Sequence, residues 1–179
     1  ASDVYKRQQL RVIHGVFAQV VFAGICLLAM MAGRAWNSLV DLVTDGLLKK
    51  LSAAALVLVF VQVAFGGLLR HLNDPIGQRL HPLLAFAVLA LVVFTLARTL
   101  LDVEGAGVLR GKAVALIGTI GVQVLLGVEA WLRTSDPASR HQPVGVADAV
   151  VRSLHVLVGF GVVSSATLLA ARAWKAKLI

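Results

Sequence analysis

The stretch GVQVLLGVEAWLR, residues 121–133, sets a glutamine, a glutamate and an arginine inside an apolar run. A near copy, FVQVAFGGLLRHL, occupies residues 60–72. Both contain V-Q-V-x-x-G and then an arginine, Arg133 in one and Arg70 in the other. Each copy is followed by an apolar run that opens on a histidine: RLHPLLAFAVLAL at 79–91 and SLHVLVGFGVVSS at 153–165. The chain is therefore built as a repeated pair, a glutamine helix closed by arginine and then a histidine helix. A further histidine-opened run, RVIHGVFAQVVFAG at 11–24, precedes both pairs.

The medium in which such a repeat folds follows from composition. Of 179 residues, 59% are hydrophobic and 15% charged, whereas soluble domains run nearer half apolar and a quarter charged. The apolar residues form five runs, at 12–32, 51–69, 80–101, 113–132 and 150–171. Each has the roughly 20 residues that a helix needs to cross a bilayer. Backbone groups in lipid must be satisfied within the segment, so the runs must be helices. The expected fold is all-α and membrane-integral, with five transmembrane helices. The last four form an up-down four-helix bundle.

The net charge of +8 is not a nucleic-acid signal, because the basic residues cluster at helix ends and in connections, as membrane topology requires. With Lys6 and Arg7 set aside, one side holds nine Lys and Arg in 33–50, 98–112 and 172–179, and the other holds six. The excess places the C-terminus on the cytoplasmic side. The segment 70–79, with Asn73, Asp74, Pro75 and Gly77, reads as a turn; 133–149 is a longer polar connection. The single cysteine, Cys26, excludes a disulfide within the chain and reads as a small packing residue.

Residues 1–8, ASDVYKRQ, do not fit the apolar pattern. D-V-Y-K-R-Q resembles the translated end of a sequencing adaptor, so this stretch is set apart from the fold. The expected organisation is a scar at 1–8, a helix and linker at 9–50 that end an N-terminal half, and a four-helix cofactor-binding half at 51–179. The chain then reads as a fragment that continues upstream.

His14, His81 and His155 open the first, third and fifth runs, which point the same way, so the three share a depth. Two axial ligands of one haem need a common depth on facing helices. The third and fifth runs are diagonal in an up-down bundle, and bundle cores are where cofactor sites are built. Ionisable groups in spans are costly and point to function. His81 and His155 are the expected iron ligands. Gly15, Gly159 and Gly161 would let a flat macrocycle approach the backbone. Zinc is disfavoured, since no Cys, Asp or Glu joins the histidines at ligand spacing.

Gln62 and Gln123 admit two readings, interhelical hydrogen bonds or polar contacts beside a cofactor. Arg70 and Arg133 either snorkel to the interface or meet haem propionates. Glu129 stands one turn before Arg133 as an i,i+4 partner. His71 and His141 read as solvated loop residues.

In order, these segments resemble the heme A synthase family of eight-helix membrane proteins built from two similar halves. IHGVFAQVVFAG resembles the fourth family helix, FVQVAFGGLLRH the fifth and LHPLLAFAVLALVV the sixth. GVQVLLGVEAWLR resembles the seventh and LHVLVGFGVVSSATLLAARAW the eighth. The resemblance covers residues 10–175. It implies that His81 and His155 hold a heme b, with Gln62, Gln123, Arg70, Arg133 and Gly159 around it. It implies that His14 is half of a substrate-haem site whose partner and acidic neighbour lie upstream. Pro82 stands where the family often has arginine, and is expected in the first helical turn, where proline is tolerated.

The resemblance also implies oxidation of haem O towards haem A for cytochrome oxidase assembly, in the bacterial inner membrane. A haem farnesyltransferase or oxidase assembly factors would be the partners. A membrane b-type cytochrome that carries electrons without synthase activity is the competing reading, and an upstream intramembrane glutamate and fourth histidine would separate the two. A third reading makes the histidines interfacial residues of a structural membrane protein.

Overall fold

The computed structural model describes residues 2–37, 43–44, 46–72, 75–101, 107–135 and 145–178. The elements in chain order are α1 (Ser2–Ala32), α2 (Arg34–Asn37), β1 (Val43–Thr44), α3 (Gly46–Leu72), α4 (Pro75–Leu101), α5 (Gly107–Ser135), α6 (Val146–Lys175) and β2 (Lys177–Leu178). Five of these helices are long and apolar enough to cross a membrane. The chain is a multi-pass helical membrane protein, all-α but for the two-residue strands, which pair in parallel.

The helices outrun the apolar runs that announce them. α1 reaches back to Ser2, through the stretch set apart at the N-terminus, because no glycine or proline interrupts residues 2–14. α4 begins at Pro75, where a missing N–H costs nothing. Most of the turn expected at 70–79 is therefore helix. Pro82 lies two turns inside α4 rather than in its first turn, so one helical N–H is missing there.

α3 packs on α4, α4 on α5, α5 on α6, and α6 back on α3, which closes a ring with α4 and α6 diagonal. α1 lies outside the ring in the groove between α3 and α6. Small residues permit these approaches, as association in lipid requires. A Cβ on Gly77 would stand 3.0 Å from the backbone nitrogen of Leu69. Gly67 receives Val12 of α1, which would lie 3.2 Å from an added Cβ. Phe22 and Phe160 meet edge to face at 5.2 Å along the α1–α6 seam.

Burial is uneven along the bundle axis. Its close-packed half holds Leu48, Ala55 and Val59 of α3, Val88 and Val92 of α4, Leu109, Ala113 and Leu116 of α5, and Val163, Ala166 and Leu169 of α6. Thr95 and Thr99 are fully buried there, and each hydroxyl donates to the carbonyl four residues back at 2.7 Å. The other half, from Phe60 to Leu72, Pro75 to Ala87, Gly121 to Arg133 and Val146 to Gly161, contains only two buried residues among those described, Gly77 and Gly159. That half carries His71, His81 and His155.

The close-packed end is tied off by polar contacts. Lys49 donates to Ala176 O at 2.5 Å and so caps carbonyls left open where α6 ends. The Trp36 ring lies beneath the Arg172 guanidinium at 5.2 Å and the Lys175 ammonium at 4.2 Å. Both cations also donate to Trp36 O. The connection from α1 to α3 is thereby fastened to the end of α6.

Gly77→Val should lower the unfolding free energy by about 1–3 kcal/mol through overpacking against α3. Gly118→Val, where nothing lies within 4 Å of the added carbon, should cost no more than a few tenths. Unfolding in detergent–lipid mixtures, followed by circular dichroism, measures both.

Candidate functional site

The site grows from two glutamine helices and two histidine helices that converge at the open half. α3 presents Gln62 towards the first turns of α4. The Gln62 side-chain amide donates to His81 O at 2.8 Å. In return the His81 ring nitrogen Nδ1 lies 3.1 Å from Gln62 O. A carbonyl can only accept, so Nδ1 carries the proton and Nε2 keeps its lone pair. This reciprocal pair locks both ring orientation and helix register.

The second pair is built differently. Gln123 of α5 places Nε2 3.2 Å from His155 Nε2 of α6. With the amide nitrogen as donor, His155 Nε2 is the acceptor and Nδ1 carries the proton. His81 Nε2 thus keeps a lone pair, the form in which imidazole ligates metals, whereas that of His155 Nε2 is engaged by the Gln123 amide, which a metal would have to displace, and His155 Nδ1 is buried without a partner.

The two rings face one another across the bundle diagonal. Their centroids are 6.3 Å apart and their planes cross at 78°. Two imidazoles that ligate one metal atom at about 2 Å each bring their ring centres about 6 Å apart. Each ring lies against a glycine of the neighbouring glutamine helix. A Cβ on Gly66 would be 3.0 Å from His81 Cε1, and one on Gly127 would be 3.1 Å from His155 Cε1. The glycine four residues after each glutamine, common to both repeats, is the seat of a histidine ring.

The polar groups are incompletely satisfied. Gln62 Oε1 and Gln123 Oε1 are buried without a hydrogen-bond partner, an arrangement costly in an apolar interior. The facing imidazoles and loose packing fit a site that a haem completes; the amide oxygens do not add to that fit, since a haem brings iron and carboxylates rather than donors. The remaining predicted residues are placed as follows. Gly159 is buried, but the space over it is taken by the amide nitrogens of Gln123 and Gln19, 3.5 and 3.6 Å from an added Cβ. Arg70 is exposed at the end of α3. Arg133 is engaged by Glu129 at 2.6 Å and Asp148 at 3.2 Å; the first is the expected i,i+4 pair, and the second ties α5 to α6. His71 falls in the last helical turn of α3, half-buried, rather than in a loop. His141 lies outside the described residues.

His14 does not join the other two. It is exposed on α1, in a stripe with Leu10, Phe17, Val21 and Leu28, all 42% exposed or more. Gln19 was missed by the sequence reading, although FAQVVFAG repeats the Q-V-x-x-x-G element of FVQVAFGG. It is 7% exposed and turns inward.

No known family, curated protein or solved structure matches the chain. The geometry itself therefore carries the functional argument.

Gly66→Leu and Gly127→Leu should displace the His81 and His155 rings respectively and shift their ring nitrogen resonances while leaving helix content intact. Gly111→Leu, at an open position, should change neither. Nitrogen NMR of histidine-labelled variants beside their circular dichroism checks this.

Proposed function

We propose that the open half of the bundle binds one b-type haem between His81 and His155. On this reading the chain is the C-terminal part of a heme A synthase-like membrane oxidoreductase, which carries haem O towards haem A for cytochrome oxidase assembly. The observation that carries the haem assignment is the pair of diagonal imidazoles at 6.3 Å, in the half of the bundle whose interior is least filled. The step from haem binding to synthase rests on the ordered resemblance of the five helices.

In this site His81 and His155 would hold the iron through Nε2, His155 after the Gln123 amide has moved off that nitrogen. Gln62 holds His81 by its carbonyl, which fixes the tautomer and strengthens the ligand. Apolar helix faces exclude water, and the close-packed half anchors the helices so that the two rings keep their spacing. The haem, when bound, supplies one-electron chemistry at its iron, tuned by axial ligation, burial and hydrogen bonding. Arg70, at the histidine end, is available for a propionate, whereas Arg133 already has two carboxylate partners.

His14 belongs to a second half-site on the outer face of α1, where haem O would be the substrate and the partner ligand comes from upstream. Haem farnesyltransferase or oxidase assembly proteins are the expected partners. The nine-to-six basic excess favours a cytoplasmic C-terminus, and the family resemblance implies a cell membrane location, the bacterial inner membrane.

His81→Ala and His155→Ala should each abolish the low-spin bis-histidine spectrum of the purified protein, because neither Met nor Cys stands near to replace the lost ligand. His14→Ala should leave that spectrum unchanged. A ligand variant with unaltered haem content and spectrum would refute the haem assignment. The synthase assignment is tested by haem extraction from cells that make haem O and express the chain with its upstream sequence. Haem A is the expected product; haem O alone, with the bundle haem in place, would leave an electron-carrying cytochrome.

A further inference from the structure

The two facing histidines do not offer a metal the same ligand. His81 Nδ1 stands 3.1 Å from a backbone carbonyl, Gln62 O, and such a partner orients an imidazole and raises its basicity. The Gln62 side chain is engaged by His81 O at 2.8 Å, so it leaves the ligating nitrogen alone. His155 has neither advantage. Its Nδ1 is buried without a partner, and its Nε2 lies 3.2 Å from the Gln123 amide nitrogen. An imidazole nitrogen has a single lone pair. A donor and a metal on that nitrogen therefore exclude one another.

Glutamines that are equivalent in the sequence repeat thus act at different places on their histidines. Gln62 touches the backbone of His81, and Gln123 touches the ligating atom of His155. Relief of the competition falls to the amide rather than to the ring. The ring is wedged against α5, since a Cβ on Gly127 would stand 3.1 Å from His155 Cε1 and 3.6 Å from its Nδ1. The amide is held by less. Gln123 Oε1 has no hydrogen-bond partner, so the contact with His155 is its one polar tie among the described residues.

We propose that Gln123 is a brake on the second ligand. His81 ligates first, with its ring already oriented and its lone pair free. His155 ligates only once the Gln123 amide has swung off Nε2. The order of ligation rests on the haem reading of the site; the occupation of the His155 lone pair by Gln123 does not.

The test uses the full chain in lipid nanodiscs and the equivalent substitutions Gln123→Leu and Gln62→Leu. The first removes the competing donor, and the second removes a donor that does not touch the ligating nitrogen. Gln123→Met is a second variant with an unbranched side chain, and circular dichroism checks that each variant folds. In haem-free protein, nitrogen NMR of labelled histidine should show His155 Nε2 shifted towards a free lone pair in both Gln123 variants. The Nε2 resonance of His81 should stay where it is. On mixing with haem, the wild type should pass from a high-spin to a low-spin spectrum in two phases. Both Gln123 variants should speed the second phase and tighten final binding by roughly 3- to 10-fold, the scale of one hydrogen bond. Gln62→Leu should gain neither. A His155 Nε2 resonance identical in wild type and Gln123 variants would overturn the proposal, as would folded Gln123 variants that gain no speed and no affinity. Failure of the wild type and the Gln123 variants alike to bind haem would overturn the haem reading and the order of ligation with it. The haem-free spectra would then still decide whether Gln123 occupies the His155 lone pair.

Discussion

A hydrocarbon surrounding removes the usual reason for helices to associate, since lipid tails are as apolar as leucine. What remains is close contact between small residues and the need of every buried polar group for a partner. Both are concentrated in the α3–α4 hairpin. Gly77 brings the start of α4 against the α3 backbone, and the reciprocal bonds between Gln62 and His81 then admit one register. A slip of one residue would leave an amide, a ring nitrogen and two carbonyl lone pairs unpaired in an apolar interior, at a cost of kilocalories. The diagonal position of His155 has meaning only because His81 is fixed in this way.

The number, direction and order of the helices were legible because length and charge alone decide them. Long apolar runs must be helices, and short connections make neighbours antiparallel. The equal depth of His81 and His155 followed from the same facts. The ends of the helices were not legible, because the interfacial residues that extend them, such as Lys49 and Lys50 of α3 or Arg79 of α4, are polar and yet good helix formers or harmless ones. Nor could the sequence separate the close-packed half from the open half. In a soluble bundle the polar face marks the outside, whereas here lipid-facing Phe86 and core Val92 belong to the same apolar alphabet.

Gln19 shows a different kind of failure. Sorting the helices into glutamine-bearing and histidine-bearing kinds obscured that α1 is both. Five residues separate His14 from Gln19, and at 3.6 residues per turn this puts them about 140° apart around the helix. The side chains therefore serve opposite faces, one turned outward and one buried at α6. The repeated element Q-V-x-x-x-G was the available signal, but its glycines, Gly24 and Gly67, are not the ring seats, which are Gly66 and Gly127, so the repeat alone did not announce an inward-turned Gln19.

The two histidine–glutamine pairs are alike in sequence but not in physics. His81 is held by backbone, which has no freedom to reverse its polarity. His155 is held by a side chain, whose two ends are nearly equal in shape and opposite in hydrogen bonding. An element fixed by backbone is set when the helices pack, whereas one fixed by a side chain answers to whatever else touches that side chain. The second glutamine lies against Gly159, which α1 also approaches, so the more loosely held ring is the one whose partner stands at a contact with the rest of the protein.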